Sequence, residues 1–465
     1  MIDARARAAW VLALPLAACA APTPPLDTPS LAAARTLPDR YAPMALPDVG
    51  FIDAIAQWWR RFDDPALARL AEATLAANQD IVQAAQRLAQ ARARARAAGA
   101  TRLPTLGIAF EPARTALSGE LALGWDPDLF GGLASAHRAA RSELAAAGYD
   151  LASVQRAAVA EVAASYVAYR ALQARLAETR AALAGQRALL DVIEHRHAIG
   201  IAVAADVERA RLQLFQIEAL VPALDDARRQ AANRIAVLID RAPGTVAPML
   251  DGPATIPHAD ALPVAGVPAD LLRRRPDVRA AEARIAAAAA KAGVARAALK
   301  PQLSLGAVIG GAAFSLPSLA ESLVSTVVGR ISQTLFDGGR GRAAIDEQRA
   351  AAREAVAAYR ATILAALEEV ENARSAVDAG AERVRIARAA CAAAQRNAAL
   401  TRGAYEIGLS DLFILLDAEQ QALAERDALV MAEADRTAAQ MQLYVALGGG
   451  WTIAPQTLDR PPRIP

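Results

Sequence analysis

Residues 356–394 read VAAYRATILAALEEVENARSAVDAGAERVRIARAACAAA. Every seventh residue is apolar: Val356, Ile363, Val370, Val377, Val384 and Cys391. Three places after the last five of these stand Ala366, Ala373, Gly380, Ala387 and Ala394. A seven-residue apolar repeat kept over this length is the seam of a coiled coil. Small residues at the second seam position let the neighbouring helix come close. Cys391 falls on the seam and reads as a small buried hydrophobe.

The same frame occurs earlier in the chain. Subtracting 208 from Val370, Val377, Val384 and Cys391 gives Val162, Tyr169, Leu176 and Leu183, and the series continues to Leu190. Gly200-Ile201 and Gly408-Leu409 are separated by the same offset (408 − 200). Matching frames at one offset indicate an internal duplication. The expected fold is therefore mainly α, built from long coiled-coil helices in two repeats. The first repeat is expected over 57–240 and the second over 268–447, with a Pro/Gly-rich linker at 241–267 and a tail at 448–465.

Helices are expected at Gln57–Ala100, Gly132–Ala198, Ala204–Asp240, Pro268–Leu299, Gly341–Tyr405 and Asp411–Leu447. Asp64 is placed to cap the first of them and Pro65 to occupy its first position. A helix of about 65 residues is about 100 Å long, which suits a device that crosses a large distance. The apolar fraction is 54% but aromatics are only 4%, because alanine supplies much of it. Alanine favours helix and fills little volume, so close helix packing is expected rather than one thick globular core.

Two hairpins interrupt the helices at equivalent places, about 102–126 and about 301–336. Leu103–Phe110 and Leu121–Trp125 form the first, which reads as short; Leu303–Ile309 and Leu323–Ile331 form the second. Alternation puts Leu106, Ile108 and Phe110 on one face, and Leu121, Leu123 and Trp125 on one face. Each strand is close to the ~10 residues a membrane strand needs. Four strands cannot close a barrel, and lipid does not tolerate open edges. A barrel would therefore be shared: two chains give 8 strands and three give 12.

The amino terminus has the anatomy of an export signal: Arg5 and Arg7, an apolar run from Ala8 to Leu16, then Leu16-Ala17-Ala18-Cys19. The run is too short to span a bilayer. Small residues followed by Cys resemble the lipobox of bacterial lipoproteins. The resemblance implies a signal peptide over 1–18 and acylation of Cys19. Ala20, in place of the Asp that retains lipoproteins in the inner membrane, implies the outer one. Residues 19–56 are proline-rich and read as a tether. With Cys19 acylated, Cys391 has no disulfide partner.

Other chemistry is sparse. The net charge of +2 leaves no basic excess to suggest nucleic acid. No Gly-rich phosphate loop and no catalytic constellation stands out, so neither enzyme nor cofactor is expected. His195 and His197 are two residues apart, face different sides of a helix and make a poor metal pair. Gly448-Gly449-Gly450 reads as a helix stop.

Several stretches together resemble the TolC-like outer membrane factors, in particular the lipoprotein (NodT-type) subgroup of efflux systems. They are Trp59-Arg60-Arg61-Phe62-Asp63-Asp64-Pro65, Trp125-Asp126-Pro127-Asp128-Leu129-Phe130-Gly131, the run from Leu271 to Glu282 (LLRRRPDVRAAE), Leu335-Phe336-Asp337-Gly338-Gly339 and Leu415-Leu416-Asp417-Ala418-Glu419. The likeness covers nearly the whole mature chain. Pro127 departs from the usual residue between the two acids, and Glu419 stands where relatives have Gln.

The resemblance implies a homotrimer with a shared 12-stranded β-barrel in the outer membrane of a Gram-negative bacterium and a periplasmic α-barrel. It implies a passive duct for small molecules such as drugs. The implied partners are a periplasmic adaptor, an inner-membrane pump of the resistance-nodulation-division type, and outer membrane lipid. Gly200, Ile201, Gly408 and Leu409 would lie at the tips that meet the adaptor. Phe413 and Asp417, four residues apart, would narrow and charge the periplasmic gate. A duct for type I protein secretion or metal-ion efflux is the alternative within transport. A lipid-anchored coiled-coil scaffold is the alternative outside it, but a scaffold has no need of the paired hairpins.

Overall fold

The computed structural model of the chain describes residues 56–113, 116–259, 274–313 and 324–451. The expected export signal with Cys19, the tether up to residue 55 and the expected helix start at Pro268 lie outside these residues. A 3-10 turn at Trp58–Phe62 leads into α1 (Pro65–Ala77) and α2 (Gln79–Ala100). There follow β1 (Thr105–Ala113), β2 (Ala116–Trp125), α3 (Gly132–Ala198) and α4 (Ala204–Leu238). The second half repeats the order as α5 (Pro276–Ala297), β3 (Gln302–Ala313), β4 (Val324–Ser332), α6 (Arg340–Glu406) and α7 (Leu412–Ala446).

For the four longest helices the duplication holds to the residue. Both ends of α3 and α6, each 67 residues, and of α4 and α7, each 35 residues, are separated by 208. The 22-residue helices α2 and α5 are separated by 197 instead (276 − 79). The eleven extra residues of the second repeat lie within its hairpin, where β3 is longer than β1 and the sequence between the strands is longer too.

Two expectations are corrected at the first helix and one at the fifth. The chain from Gln57 is not one helix. Asp63 takes a left-handed conformation (φ 47°) that ends the 3-10 turn, and Asp64 then accepts hydrogen bonds from the amides of Ala66 and Leu67, as an N-cap does. A second break falls at Asn78, whose Oδ1 accepts from the amides of Asp80 and Ile81 while its amide group donates to the Leu238 carbonyl at 2.9 Å. A buried Asn that competes for backbone groups interrupts a helix. The fifth helix starts at Pro276 rather than running through from Pro268, because a proline favours the first helical position and pushes the residue before it out of helical geometry. The first hairpin is also not short: β1 has 9 residues and β2 has 10.

The chain forms two compact units, each drawing on both repeats. The first contains Arg87–Tyr149 and Asp277–Thr362, hence the whole sheet. The second contains the described residues of Pro38–Gln86, Asp150–Pro276 and Ile363–Pro465.

In the second unit most of the seam is buried, with Ile363 and Val377 half-buried. Val162, Tyr169, Leu176 and Leu183 of α3 are buried, and so are Ala366, Val370, Ala373, Val384 and Cys391 of α6. Each large seam residue contributes about 1.5–3 kcal/mol by leaving water. Around Trp58 an aromatic cluster forms: its ring stacks on Tyr444 at 6.0 Å between centroids, and Phe62 meets Tyr444 edge-on.

Two buried cations tie helices to loops. Arg170 donates to the Tyr166 hydroxyl at 2.9 Å and to the Leu250 carbonyl at 3.1 Å. Tyr166 in turn donates to Asp64 at 2.8 Å. Burial, with Asp64 adding to it, pushes the Tyr166 hydroxyl up to about 12, so it stays a donor in any ordinary buffer. Arg275, only 1% exposed, donates to the Ala446 carbonyl at 2.8 Å and to Glu369 at 2.6 Å.

Arg275→Leu should therefore cost about 1–3 kcal/mol, chiefly from the Ala446 carbonyl left buried without a donor. Arg279→Gln, which breaks an exposed pair with Glu282, should cost well under about 1 kcal/mol. Thermal unfolding of the detergent-solubilised protein separates the two; equal melting temperatures would refute the assigned role of Arg275.

Candidate functional site

The four strands form one antiparallel sheet in the order β1-β2-β3-β4. The register sorts its side chains into two chemistries. Leu106 pairs with Leu123, Ile108 with Leu121, Leu121 with Ile309, Trp125 with Leu305 and Leu303 with Ile331. Residues paired across strands share a face, so these all lie on one side of the sheet. The other side carries the strands' three charged side chains, Glu111, Glu120 and Arg330, with Thr105, Ser118, Ser304 and Thr326, several Gly and Ala, and the valines Val308, Val324 and Val328. One face is thus bulky, apolar and without charge, and the other holds all the charge and most of the small and polar residues. Leu106, Ile108, Phe110, Val327 and Ile331 are exposed on the apolar face. A sheet that leaves such a face uncovered in water would be an association hazard; in a bilayer it is what a barrel wall presents to lipid. Among the described residues no helix is long and apolar enough to cross a membrane.

The second site is the pair of helix turns in the second unit. Both α3 and α6 end in the same hydrogen-bonded motif. The Gly200 amide donates to the His197 carbonyl and the Ile201 amide to the Arg196 carbonyl. At the same offset of 208, Gly408 donates to Tyr405 and Leu409 to Ala404. Gly200 has φ 82° and Gly408 has φ 80°, the left-handed geometry this helix ending needs. Ile201 and Leu409 are 72% and 79% exposed, so both turns present aliphatic side chains outward. His197 is exposed and its ring nitrogen lies 2.8 Å from the Ala202 carbonyl, a local brace across the first turn.

Asp411 caps α7 by accepting from the Phe413 amide at 2.7 Å. Leu412, Leu415 and Leu416 are buried with Ile193, Val207 and Ala210, so the tips of the two helical hairpins pack on each other. The opposite face of α7 carries Phe413, 63% exposed, and the exposed Asp417, which accepts from Gln421 at 2.7 Å. Phe413 and Asp417 thus share an uncovered face, as their spacing requires.

Three features here escape a reading of the sequence. Arg196 stacks over the Tyr405 ring at 4.9 Å and links the ends of α3 and α6. Glu194 pairs with Arg211 across the first hairpin, and Arg402 with Glu419 across the second. These are equivalent positions with the charges exchanged, a signal visible once the offset is applied to polar as well as apolar residues. Finally, β1 runs on through Glu111, which adds a carboxylate to the polar face.

A sheet with one face for lipid and one for water, joined to long paired helices, defines a membrane-channel subunit. The outer membrane efflux protein family matches residues 70–240 and 267–449, and the chain belongs to that family. The pyoverdine export outer membrane protein OpmQ of Pseudomonas putida is 31% identical, over 95% of this chain and 96% of its own length. Nodulation protein T of Rhizobium leguminosarum bv. trifolii is 28% identical over 89% and 92%. Among solved structures, the outer-membrane channel OprN matches with a TM-score of 0.79 at 32% identity, covering 85% of this chain and 93% of its own. The outer membrane protein VceC of Vibrio cholerae matches with a TM-score of 0.77 at 28% identity, over 85% and 99%. The chain is an outer membrane protein, the duct of an efflux system.

Replacing Gly408 by Val forces a β-branched residue into positive φ and should cost about 1–2 kcal/mol at that turn. Gly185→Ala, in helix α3 with open space around it, should be neutral or slightly stabilising. Hydrogen exchange of the turn amides checks this: faster exchange of the Leu409 amide is expected for Gly408→Val only.

Proposed function

We propose that three copies of the chain close a 12-stranded barrel in the outer membrane and pass small molecules through it without chemistry of their own. The observation that carries this is the open four-stranded sheet with an exposed apolar face. Its edge strands β1 and β4 each leave a row of backbone groups without a partner within the sheet. In lipid each such group costs several kcal/mol, so each β4 must pair with the β1 of another copy. Three copies give a bore wide enough for a solute, where eight strands fill with side chains.

In this reading the acyl chains on Cys19 anchor the amino terminus in the same membrane. The turns at Gly200, Ile201, Gly408 and Leu409 meet a periplasmic adaptor through their exposed aliphatic side chains. Behind the adaptor stands an inner-membrane pump of the resistance-nodulation-division type. Phe413 and Asp417 face the axis, where three aromatic rings narrow the bore and three carboxylates favour cations. The names of the relatives, pyoverdine export in one and toluene efflux in another, support export of small organic molecules as the class of cargo.

The mature protein in detergent should have the mass of three chains; a monomer that stays soluble without detergent would favour a periplasmic scaffold. Labelled palmitate should enter the wild type and not Cys19→Ala. In planar bilayers Asp417→Ala should weaken cation selectivity, and Phe413→Ala added to it should raise conductance. A double variant that assembles yet keeps the parent's conductance and selectivity would remove these residues from the gate.

A further inference from the structure

The register places all four junctions between strand and helix at one end of the sheet. Thr105 pairs with Gly124, Trp125 with Leu305 and Gln302 with Ser332, so β1 and β3 begin where β2 and β4 finish. At this end the acids are largely engaged. Asp128 accepts from the amides of Leu133 and Ala134 at the start of α3. Asp337 accepts from the amides of Gly339 and Gly341 at the start of α6, which hold its carboxyl below the usual carboxylate range. Arg340 lies beside Asp337, but three other cations are not engaged. Arg102 before β1, Lys300 before β3 and Arg342 in the first turn of α6 are exposed, with no carboxylate partner among the described residues. The exposed acids near them are Asp126 and, one turn beyond Arg342, Asp346, which pairs with Arg349.

The same junctions expose large apolar side chains. Leu335 and Phe336 are 91% and 90% exposed, and Leu129 is 57% exposed. Trp125 lies on the apolar face at its last residue and donates its indole N–H to the Arg102 carbonyl at 3.2 Å. Apolar side chains beside unpaired cations, at the rim of an apolar sheet, match a lipid molecule in two parts: phosphate for the cations and acyl chain for the sheet. An indole at such a rim is the usual marker of a membrane–water boundary.

We propose that Arg102, Lys300 and Arg342 form a cationic collar that binds the phosphate of an anionic phospholipid at the helix end of the barrel, with Leu129, Leu335 and Phe336 against its acyl chains. The proposal rests on the barrel reading above. Near a bilayer surface the attraction per cation corresponds to about a fivefold change in binding, and it falls with salt.

The test uses the full-length protein reconstituted into vesicles of phosphatidylglycerol with phosphatidylcholine, and of phosphatidylcholine alone. Lipids retained by the trimer after extraction are counted by mass spectrometry. Wild type should retain phosphatidylglycerol selectively at low salt. The triple variant Arg102→Gln, Lys300→Gln, Arg342→Gln should still insert as a trimer and lose that selectivity by more than tenfold. A control triple, Arg241→Gln, Arg374→Gln, Arg396→Gln, removes the same charge elsewhere and should keep it.

Equal loss in the control, or unchanged selectivity in the collar variant, overturns the proposal. Displacement of the lipid by millimolar inorganic phosphate would reassign the collar to a free anion and overturn it too. If Phe336→Ser abolishes the trimer and leaves lipid retention per chain unchanged, the apolar rim belongs to the contact between copies. Insertion into both vesicle types without lipid preference overturns the collar alone; failure to insert into either overturns the barrel reading itself.

Discussion

A sheet edge in hydrocarbon has nothing to bond to, and that constraint governs this chain. Its four strands carry an uncharged apolar face built from Leu106, Ile108, Phe110, Leu121, Leu123 and Ile331, and an opposite face that holds all their charge, Glu111, Glu120 and Arg330. Alternation by itself would serve a soluble sheet with one side buried. Among the described residues neither helix nor second sheet covers the apolar side, whose large residues stay exposed. Lipid outside and water inside is the arrangement that satisfies both faces, and it demands a closed ring of strands. One chain cannot supply that ring, so the membrane function and the association of copies are one physical requirement.

The helices answer a different demand. Alanine-rich seams bury little area per residue, so the helices need many heptads and some strong fixed points. The second unit supplies these where Trp58 stacks on Tyr444, where Tyr166 joins Arg170 to the cap at Asp64, and where Arg275 closes on the Ala446 carbonyl. Removing one partner from such a site leaves a buried polar group unpaired, which costs more than the hydrogen bond itself contributed. The stretches Trp58–Pro65 and Arg275–Asp277 are therefore specific because they hold the fold.

Duplication gives the chain two copies of each device and freedom to change one of them. The turns at Gly200 and Gly408 keep the same hydrogen bonds at the same offset. The positions just beyond them have diverged: Ala205 and Arg209 in the first repeat stand where Phe413 and Asp417 stand in the second. The ion pairs Glu194–Arg211 and Arg402–Glu419 have exchanged their charges. The divergence falls where the proposed gate requires one hairpin to differ from the other.

The seven-residue spacing, the offset of 208 and the apolar alternation in the hairpins determined the helices α3, α4, α6 and α7, the duplication and the places of both hairpins. These are local or periodic properties, and each residue carries them whatever its neighbours do. Phe413 and Asp417 share a face for the same reason, since four residues are about one helical turn. Tertiary structure decided what depends on a distant partner. Asn78 breaks a helix because the Leu238 carbonyl lies within its reach, and Arg275 is buried because the end of α7 accepts its hydrogen bond. Arg196 finds Tyr405 because two hairpins pack on each other at their tips. The register between β2 and β3 joins strands from separate repeats, so only the folded sheet could bring all four junctions to one end. Pairings between residues more than a hundred positions apart leave no periodic trace in a single chain, and that is why they waited for the structure.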